Sequence, residues 1–238
     1  MEILVTGGAS GLGLAITNKL VTTLADAKIY VTYSASKTTA VALSQKYSNV
    51  EAIKVDFKKE DDVESLCNFL KQKNVDVIVN NALSGLNKNY FHKTEPLIFT
   101  ESFKNNVLPV LKITQAFILN ARKRKSGKII TVLSSAILNN PPLGMSVYLA
   151  EKNYLLAVHK SWAVENAAFN ITSNCVSPGF MNTKLNEQTD SRIIDDLVLS
   201  HPLKKLLTIN EVADSVIFLI NASNQLNMQN IVINSSLL

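Results

Sequence analysis

The segment Tyr148-Leu-Ala-Glu-Lys152 puts a phenol and an amine one helical turn apart, downstream of the serine pair Ser134-Ser135 at the end of an apolar strand. An ammonium held near a phenol favours the phenolate, so a tyrosine with a reference pKa of about 10 becomes a usable acid or base near neutrality. A serine hydroxyl aimed at the same point could hydrogen-bond a carbonyl oxygen or an alcohol. Such a Tyr-xxx-Lys spacing is common in helices. It gains weight from a second signal near the N-terminus.

That signal is Thr6-Gly-Gly-Ala-Ser-Gly11-Leu-Gly13, which follows the apolar run Ile3-Leu4-Val5 and precedes Leu14-Ala15-Ile16, with Leu20 and Val21 at helical spacing. Strand, glycine turn and helix in this order form the context in which a glycine pattern reads as a dinucleotide cradle. Gly7 allows the tight turn, Gly11 lets backbone approach a pyrophosphate, and Gly13 lets the helix pack closely. The N–H groups at the helix start, around Ser10, Gly11 and Leu12, would face the phosphates.

Length and composition fit these motifs. The 238 residues suit one sizeable domain, taken as 1–238, and 47% apolar content marks a chain that packs a core. No apolar stretch approaches the roughly twenty residues of a membrane span. The first strand begins at residue 2 or 3, which leaves no room for a signal peptide. Cys67 and Cys175 lie far apart without a metal-ligand pattern and read as reduced core residues of a cytoplasmic protein. His92, His159 and His201 are scattered singly, so no metal site is expected. The net charge of +5 is densest at Arg122-Lys-Arg-Lys125 with Lys128, where a helix should end. A solvated helix cap and a docking patch for an acidic carrier protein are both compatible with it. Nucleic acid is disfavoured because no interleaved aromatics accompany the charges.

Apolar runs of strand length recur at 3–6, 28–33, 51–55, 75–79, 128–133, 171–176 and 231–233. Helical patterns separate them at 14–24, 38–47, 60–73, 101–122, 147–167 and 209–221. Strands buried on both faces and alternating with helices predict an α/β fold, a Rossmann-type doubly wound parallel sheet of seven strands with helices on both faces. The polar stretch 182–207, with a short helical pattern after Pro178-Gly179, reads as a substrate lid over the carboxyl ends of the strands.

With these motifs in order, the sequence resembles the short-chain dehydrogenase/reductase family over nearly its whole length. The signs are Thr6-Gly7-xxx-Gly11-x-Gly13, Asp56, Asn80-Asn81-Ala82, Asn106, the serine pair, Tyr148-xxx-Lys152, and Pro178-Gly179 with Thr183. The segment from Pro202 to Ala213 looks like the corresponding part of 3-oxoacyl-(acyl-carrier-protein) reductases. The resemblance implies that Tyr148 is the general acid in reduction, or the base in alcohol oxidation. Lys152 would lower the tyrosine pKa and hold the nicotinamide ribose, and Asn106 would hold a water linking Lys152 to solvent. Asp56 and Phe57 would contact the adenine, Asn80 and Ala82 would lie along the cofactor, and Pro178, Gly179 and Thr183 would enclose its nicotinamide end.

Counting from Gly127 favours Ser134 as the catalytic serine, whereas the distance to the tyrosine favours Ser135, which is preferred. Asn106 is preferred over Asn105 on the pattern Asn-Val-x-x-Val. The end of the second strand, Tyr33-Ser-Ala-Ser-Lys37, carries hydroxyls and a cation but no carboxylate. That favours NADP over NAD, with Ser34, Ser36 and Lys37 as phosphate contacts. Departures from the family pattern are Leu83 after Asn80-Asn81-Ala82, Asn234-Ser235-Ser236 near the C-terminus, Asn170 at a turn, and Phe169 where acyl-carrier reductases often place a docking arginine.

The sequence thus points to an NADP-dependent reductase of a ketone or 3-oxo group, acting on a small or acyl-carrier-bound carbonyl compound, with Asn106, Ser135, Tyr148 and Lys152 as its tetrad. The alternatives are an NAD-linked dehydrogenase of an alcohol or sugar and a catalytically silent NADP(H)-binding sensor. Apolar residues beyond one core-facing stripe, such as Leu155, Leu156, Val158 and Trp162, either all face the sheet or, as the family resemblance implies, are buried in a homotetramer or homodimer.

Overall fold

The computed structural model of the chain describes residues 1–138, 140–187 and 189–236. Its seven strands are β1 (Glu2–Val5), β2 (Lys28–Tyr33), β3 (Val50–Lys54), β4 (Val77–Asn80), β5 (Gly127–Val132), β6 (Ile171–Pro178) and β7 (Asn230–Ile233). They form one sheet in the order β3-β2-β1-β4-β5-β6-β7, with every pairing parallel. The α-helices are α1 (Gly11–Thr23), α2 (Lys37–Lys46), α3 (Glu60–Gln72), α4 (Pro96–Ser102), α5 (Leu108–Arg124), α6 (Ser146–Asn166), α7 (Ser191–Ser200) and α8 (Ile209–Asn221). The chain order reverses between β1 and β4, and ligands of such sheets bind at the carboxyl ends of the strands beside that reversal.

Period-two alternation within the strands explains the two buried layers. In β1, Ile3 and Val5 pack with Ile16, Leu20 and Val216 on one face. Leu4 packs with Leu66, Ile78, Ile113 and Phe117 on the other. Both faces are covered, so the strands read as continuous apolar runs. Acidic residues Glu60, Asp61 and Asp62 open α3, and a capping box between Thr208 and Glu211 opens α8.

The helical pattern at 101–122 is not one helix. It divides into α4, a π-helical turn at Phe103–Val107, and α5. Pro109 is the cause: it has no N–H to give the carbonyl one turn back, which is that of Asn105. The Ser84 hydroxyl donates to that Asn105 carbonyl instead, at 3.2 Å.

The basic run is largely absorbed by structure. Arg124 pairs with Asp76 at 2.7 Å, and the Arg122 guanidinium lies 4.1 Å from the centre of the Phe169 ring. Lys128 donates to the Ile220 carbonyl at 2.8 Å, at the end of α8. Left-handed backbone explains two of the departures. Asn170 has φ 57°, and Ser235 and Ser236 have φ 52° and 60°, the conformation that favours glycine.

Candidate active site

The glycine turn leaves β1 at the reversal point. Thr6 ties it to β4: its hydroxyl donates to the Val79 carbonyl and accepts from the Asn81 and Ala82 N–H groups at 2.9 and 3.1 Å. The Asn81 amide donates in turn to the Thr6 carbonyl at 2.9 Å. On the other side, Gly7 N–H donates to the Thr32 hydroxyl at 2.9 Å, anchoring the turn to β2.

Gly7 and Gly11 take left-handed backbone, with φ 64° and 49°. A Cβ on Gly11 would meet nothing within 4 Å, so space is open there for a ligand to approach the backbone. A Cβ on Gly13 would fall 2.1 Å from the Gly7 carbonyl oxygen. Gly13 therefore closes the turn on itself, a tighter constraint than the helix packing expected of it. Ser10 is the N-cap of α1 but makes no side-chain cap bond. The first N–H groups of the helix are left to bind an anion, which fits a pyrophosphate.

The residues expected to handle protons gather between β5 and α6. Lys152 is buried, and its Nζ donates to the Val132 carbonyl at 2.8 Å while lying 5.7 Å from the centre of the Tyr148 ring. Burial pushes the Lys152 ammonium down to about 8, against a partial upward pull from Glu151 and Cys175. The Tyr148 phenol is raised above its ordinary value, mainly by burial, with Glu151 adding to the rise and a hydrogen bond from Ser134 offsetting part of it. The depression expected from the neighbouring amine is thus not what this arrangement gives. Lys152 is engaged with the strand, and desolvation outweighs it.

The serine at Tyr148 is Ser134, not the Ser135 favoured by the distance to the tyrosine. Ser134 continues the extended path of β5, with φ −160° and ψ 143°, whereas Ser135 opens a short 3-10 turn, Ser135–Ile137. Counting from the rigid strand holds, and counting back through the irregular loop from the tyrosine slips by one residue. Asn106 is buried in the π-helical turn. Its Oδ1 accepts from the Ser84 N–H at 2.7 Å, and its Nδ2 donates to Glu151 Oε1 at 3.1 Å.

Other expected residues divide by where their side chains go. Asn80 is buried and donates to the Thr114 hydroxyl at 3.0 Å, so its amide faces α5 rather than the cofactor groove; Asn81 is the one that braces the glycine turn. Phe57 is a core residue packed with Val55, Val63 and Leu66, so its ring is not free to stack on an adenine. Asp56 is half-buried and accepts from the Lys58 N–H at 3.0 Å. Ala82 is half-buried beside Gly7. Ser34 and Lys37 are exposed at the start of α2, where Ser36 caps without a side-chain bond.

Pro178 is buried and Gly179 half-buried, its N–H donating to the Ile233 carbonyl at 2.8 Å. Thr183 follows on the stretch 182–207, whose ends are pinned together by a parallel bridge between Met181 and Leu207. A small cavity lies beneath this stretch, lined in part by Phe180, Leu197, His201 and Leu206. Sequence reasoning missed Gly8, where a Cβ would overlap Val31 at 2.9 Å, and it missed Ser84, Ser102 and Glu151. Only the glycine carried a signal of its own.

A sheet of this order with a glycine turn at its reversal and a Ser, Tyr and Lys cluster beside it defines a nucleotide-dependent oxidoreductase architecture. Comparison with known proteins agrees. The sequence model of the family described as short chain dehydrogenase matches residues 2–193. The chain belongs to that family and is an oxidoreductase of its kind.

Among curated relatives, the 3-oxoacyl-[acyl-carrier-protein] reductase FabG of Buchnera aphidicola subsp. Acyrthosiphon pisum is 30% identical over 220 residues, spanning 90% of this chain and 87% of its own. Nodulation protein G of Rhizobium meliloti is 28% identical over 224 residues, 92% of this chain and 88% of its own. Of solved structures, ElxO with NADP bound superposes with a TM-score of 0.86 at 26% identity, covering 98% of this chain and 97% of its own.

Proposed function

We propose that this chain is an NADPH-dependent ketoreductase, reducing a ketone or 3-oxo group to an alcohol. The observation that carries this reading is the juxtaposition of Ser134, Tyr148 and buried Lys152 at the carboxyl end of β5, on the same edge of the parallel sheet as the open glycine turn that follows β1. The printed activity of the FabG relative and the NADP held by ElxO support it.

The cofactor groove fits the chain's own residues. Gly7, Ser10, Gly11, Leu12 and Gly13 would hold the pyrophosphate, Asp56 and Ala82 would border the adenosine half, and Pro178, Gly179 and Thr183 the nicotinamide end. Ser34 and Lys37, exposed and without a nearby carboxylate on the segment Tyr33–Lys37, would take the 2′-phosphate. When bound there, NADPH supplies the hydride.

The protein's part is to place and protonate the carbonyl. Ser134 donates a hydrogen bond to the carbonyl oxygen and orients it toward Tyr148. Tyr148 then gives its phenolic proton to that oxygen as the alkoxide develops. A phenol held neutral by burial is the form that donates its proton in reduction. Lys152, still an ammonium near neutrality, returns a proton to Tyr148 and stabilises the transient phenolate. Asn106 fixes the π-helical turn against which α6 packs.

The acyl-carrier-bound form of the substrate stays within this proposal. The side chains of Arg122, Arg124 and Lys128 are engaged internally, so a small or free carbonyl compound is the preferred substrate class. The test is NADPH oxidation with a panel of small vicinal diketones and 3-oxoacyl thioesters. Turnover with NADPH supports the reading. Tight cofactor binding without turnover on the whole panel supports the sensor alternative instead, and faster turnover with NAD on alcohols supports the dehydrogenase.

A further inference from the structure

The stretch between Tyr148 and Lys152 contains a carboxylate that the mechanism above does not use. Glu151 is buried. Its Oε1 accepts from the Ser102 hydroxyl, through a short contact, and from Asn106 Nδ2 at 3.1 Å. Ser102 ends α4, Asn106 lies in the π-helical turn, and Glu151 lies on α6, so one oxygen joins the two helical segments. The other end of the Asn106 amide is held by the Ser84 N–H at 2.7 Å. The amide is therefore clamped from both sides, with its donor and acceptor ends assigned by their partners.

A buried carboxylate needs compensation, since burying a charge unpaired is costly. Two hydrogen bonds from neutral donors supply part of it, and Lys152, the next residue along α6, interacts with it electrostatically. The titratable groups that act on Lys152 are Glu151 on its own helix and Cys175 on β6. Tyr148 is acted on by Glu151, and Cys175 by Lys152 and Lys160. Ser102 and Asn106, facing from α4 and the π-helical turn, carry no charge.

We propose that Glu151 is a positioning residue of this site: its carboxylate locks the Asn106 amide across the gap between the π-helical turn and α6, and stands within electrostatic reach of Lys152 and Tyr148. This rests on the ketoreductase reading for its catalytic consequence, but the clamp itself does not. Like charge near a phenol disfavours the phenolate, and opposite charge near an amine favours the ammonium. Glu151 thus acts to hold both groups protonated to higher pH, against the Ser134 hydrogen bond at Tyr148 and against burial at Lys152.

Two variants separate the contact from the charge. Glu151→Gln keeps an oxygen that accepts from Ser102 and Asn106 but removes the charge, whereas Glu151→Ala removes both. The first readout needs no activity: hydrogen exchange of the Asn106 side-chain amide by NMR, assigned through its loss in Asn106→Asp. Exchange is expected to stay slow in Glu151→Gln and to speed up about tenfold or more in Glu151→Ala. An Asn106 amide equally protected in Glu151→Ala overturns the clamp.

The second readout is the pH profile of kcat/KM for NADPH oxidation with a small vicinal diketone. In Glu151→Gln the alkaline limb should move to lower pH with KM unchanged, and in Glu151→Ala kcat should fall about tenfold further. A limb that stays where the wild type has it overturns the electrostatic part, because a purely structural contact would not move it. If the wild type itself does not turn over, the ketoreductase reading fails, and the NMR comparison still decides the clamp.

Discussion

Lys152 Nζ donates to the Val132 carbonyl at 2.8 Å, so the amine of the Tyr-xxx-Lys pair is tied to the last residue of β5 as well as standing beside its phenol. This contact fixes α6 against the strand that delivers Ser134. It also explains why an amine can be buried here without leaving the helix: the carbonyl supplies the hydrogen bond that water would otherwise give.

Replacing Tyr148 by phenylalanine removes the proton donor but keeps the ring and its packing. Turnover should fall by roughly 10²–10⁴. NADPH affinity, followed by fluorescence titration, should stay close to that of the wild type. Substantial remaining turnover would falsify the acid assignment.

The serine assignment separates two neighbouring residues. Ser134→Ala should lower kcat by about tenfold or more, because a hydrogen bond to the developing oxyanion is lost. Ser135→Ala should change kcat far less and act mainly on stability, measured by thermal unfolding. The reverse ranking would return the role to Ser135.

The pH dependence follows from Lys152. Its ammonium is lowered from 10.5 to about 8 by burial. Reduction is therefore expected to weaken on the alkaline side as pH rises through about 8, where the proton that resupplies Tyr148 is lost. Stability should move the other way. Between about 8 and 10.5 the unfolded chain binds a proton at Lys152 that the folded chain does not, so this group's contribution rises with pH across that window. Paired rate and unfolding measurements from pH 7 to 10 check both signs.

Gly13→Ala would place a methyl group 2.1 Å from the Gly7 carbonyl oxygen. The turn cannot accommodate it without moving backbone, at a cost of about 1–3 kcal/mol or more. Denaturant unfolding should show the loss, and NADPH binding should fall with it. An unchanged midpoint with intact binding would mean the turn is looser than described.

Lys37→Ala should weaken NADPH by roughly tenfold, the scale of one charge-assisted hydrogen bond, while leaving NADH nearly unaffected. Competition titrations with both cofactors distinguish this from a general loss of affinity. Equal effects on the two would place the 2′-phosphate contact elsewhere.

Much of this protein is determined by residues near one another along the chain. The seven apolar runs define seven parallel strands because both faces of each are covered, and a strand buried on both sides must be apolar throughout. The glycines of the first turn are legible for the same local reason: Gly7 and Gly11 need left-handed backbone and Gly13 has no room for a Cβ. Asn170, Ser235 and Ser236, which depart from the family pattern, keep the left-handed backbone itself.

Only the tertiary structure decided which of two adjacent residues faces the site. Ser134 rather than Ser135 meets Tyr148 because strand geometry, not loop length, sets its direction. Asn80 turns into the interior toward Thr114 while Asn81 braces the turn, a choice made by α5 packing from a distant part of the chain. The break between α4 and α5 needed Ser84 to take the carbonyl that Pro109 leaves free. The charge balance was equally invisible: whether Lys152 acidifies Tyr148 depends on how deeply both are buried and on where Glu151 reaches. Periodicity reports which face of an element is apolar, but desolvation and partner choice are set by elements that meet only after the chain has folded.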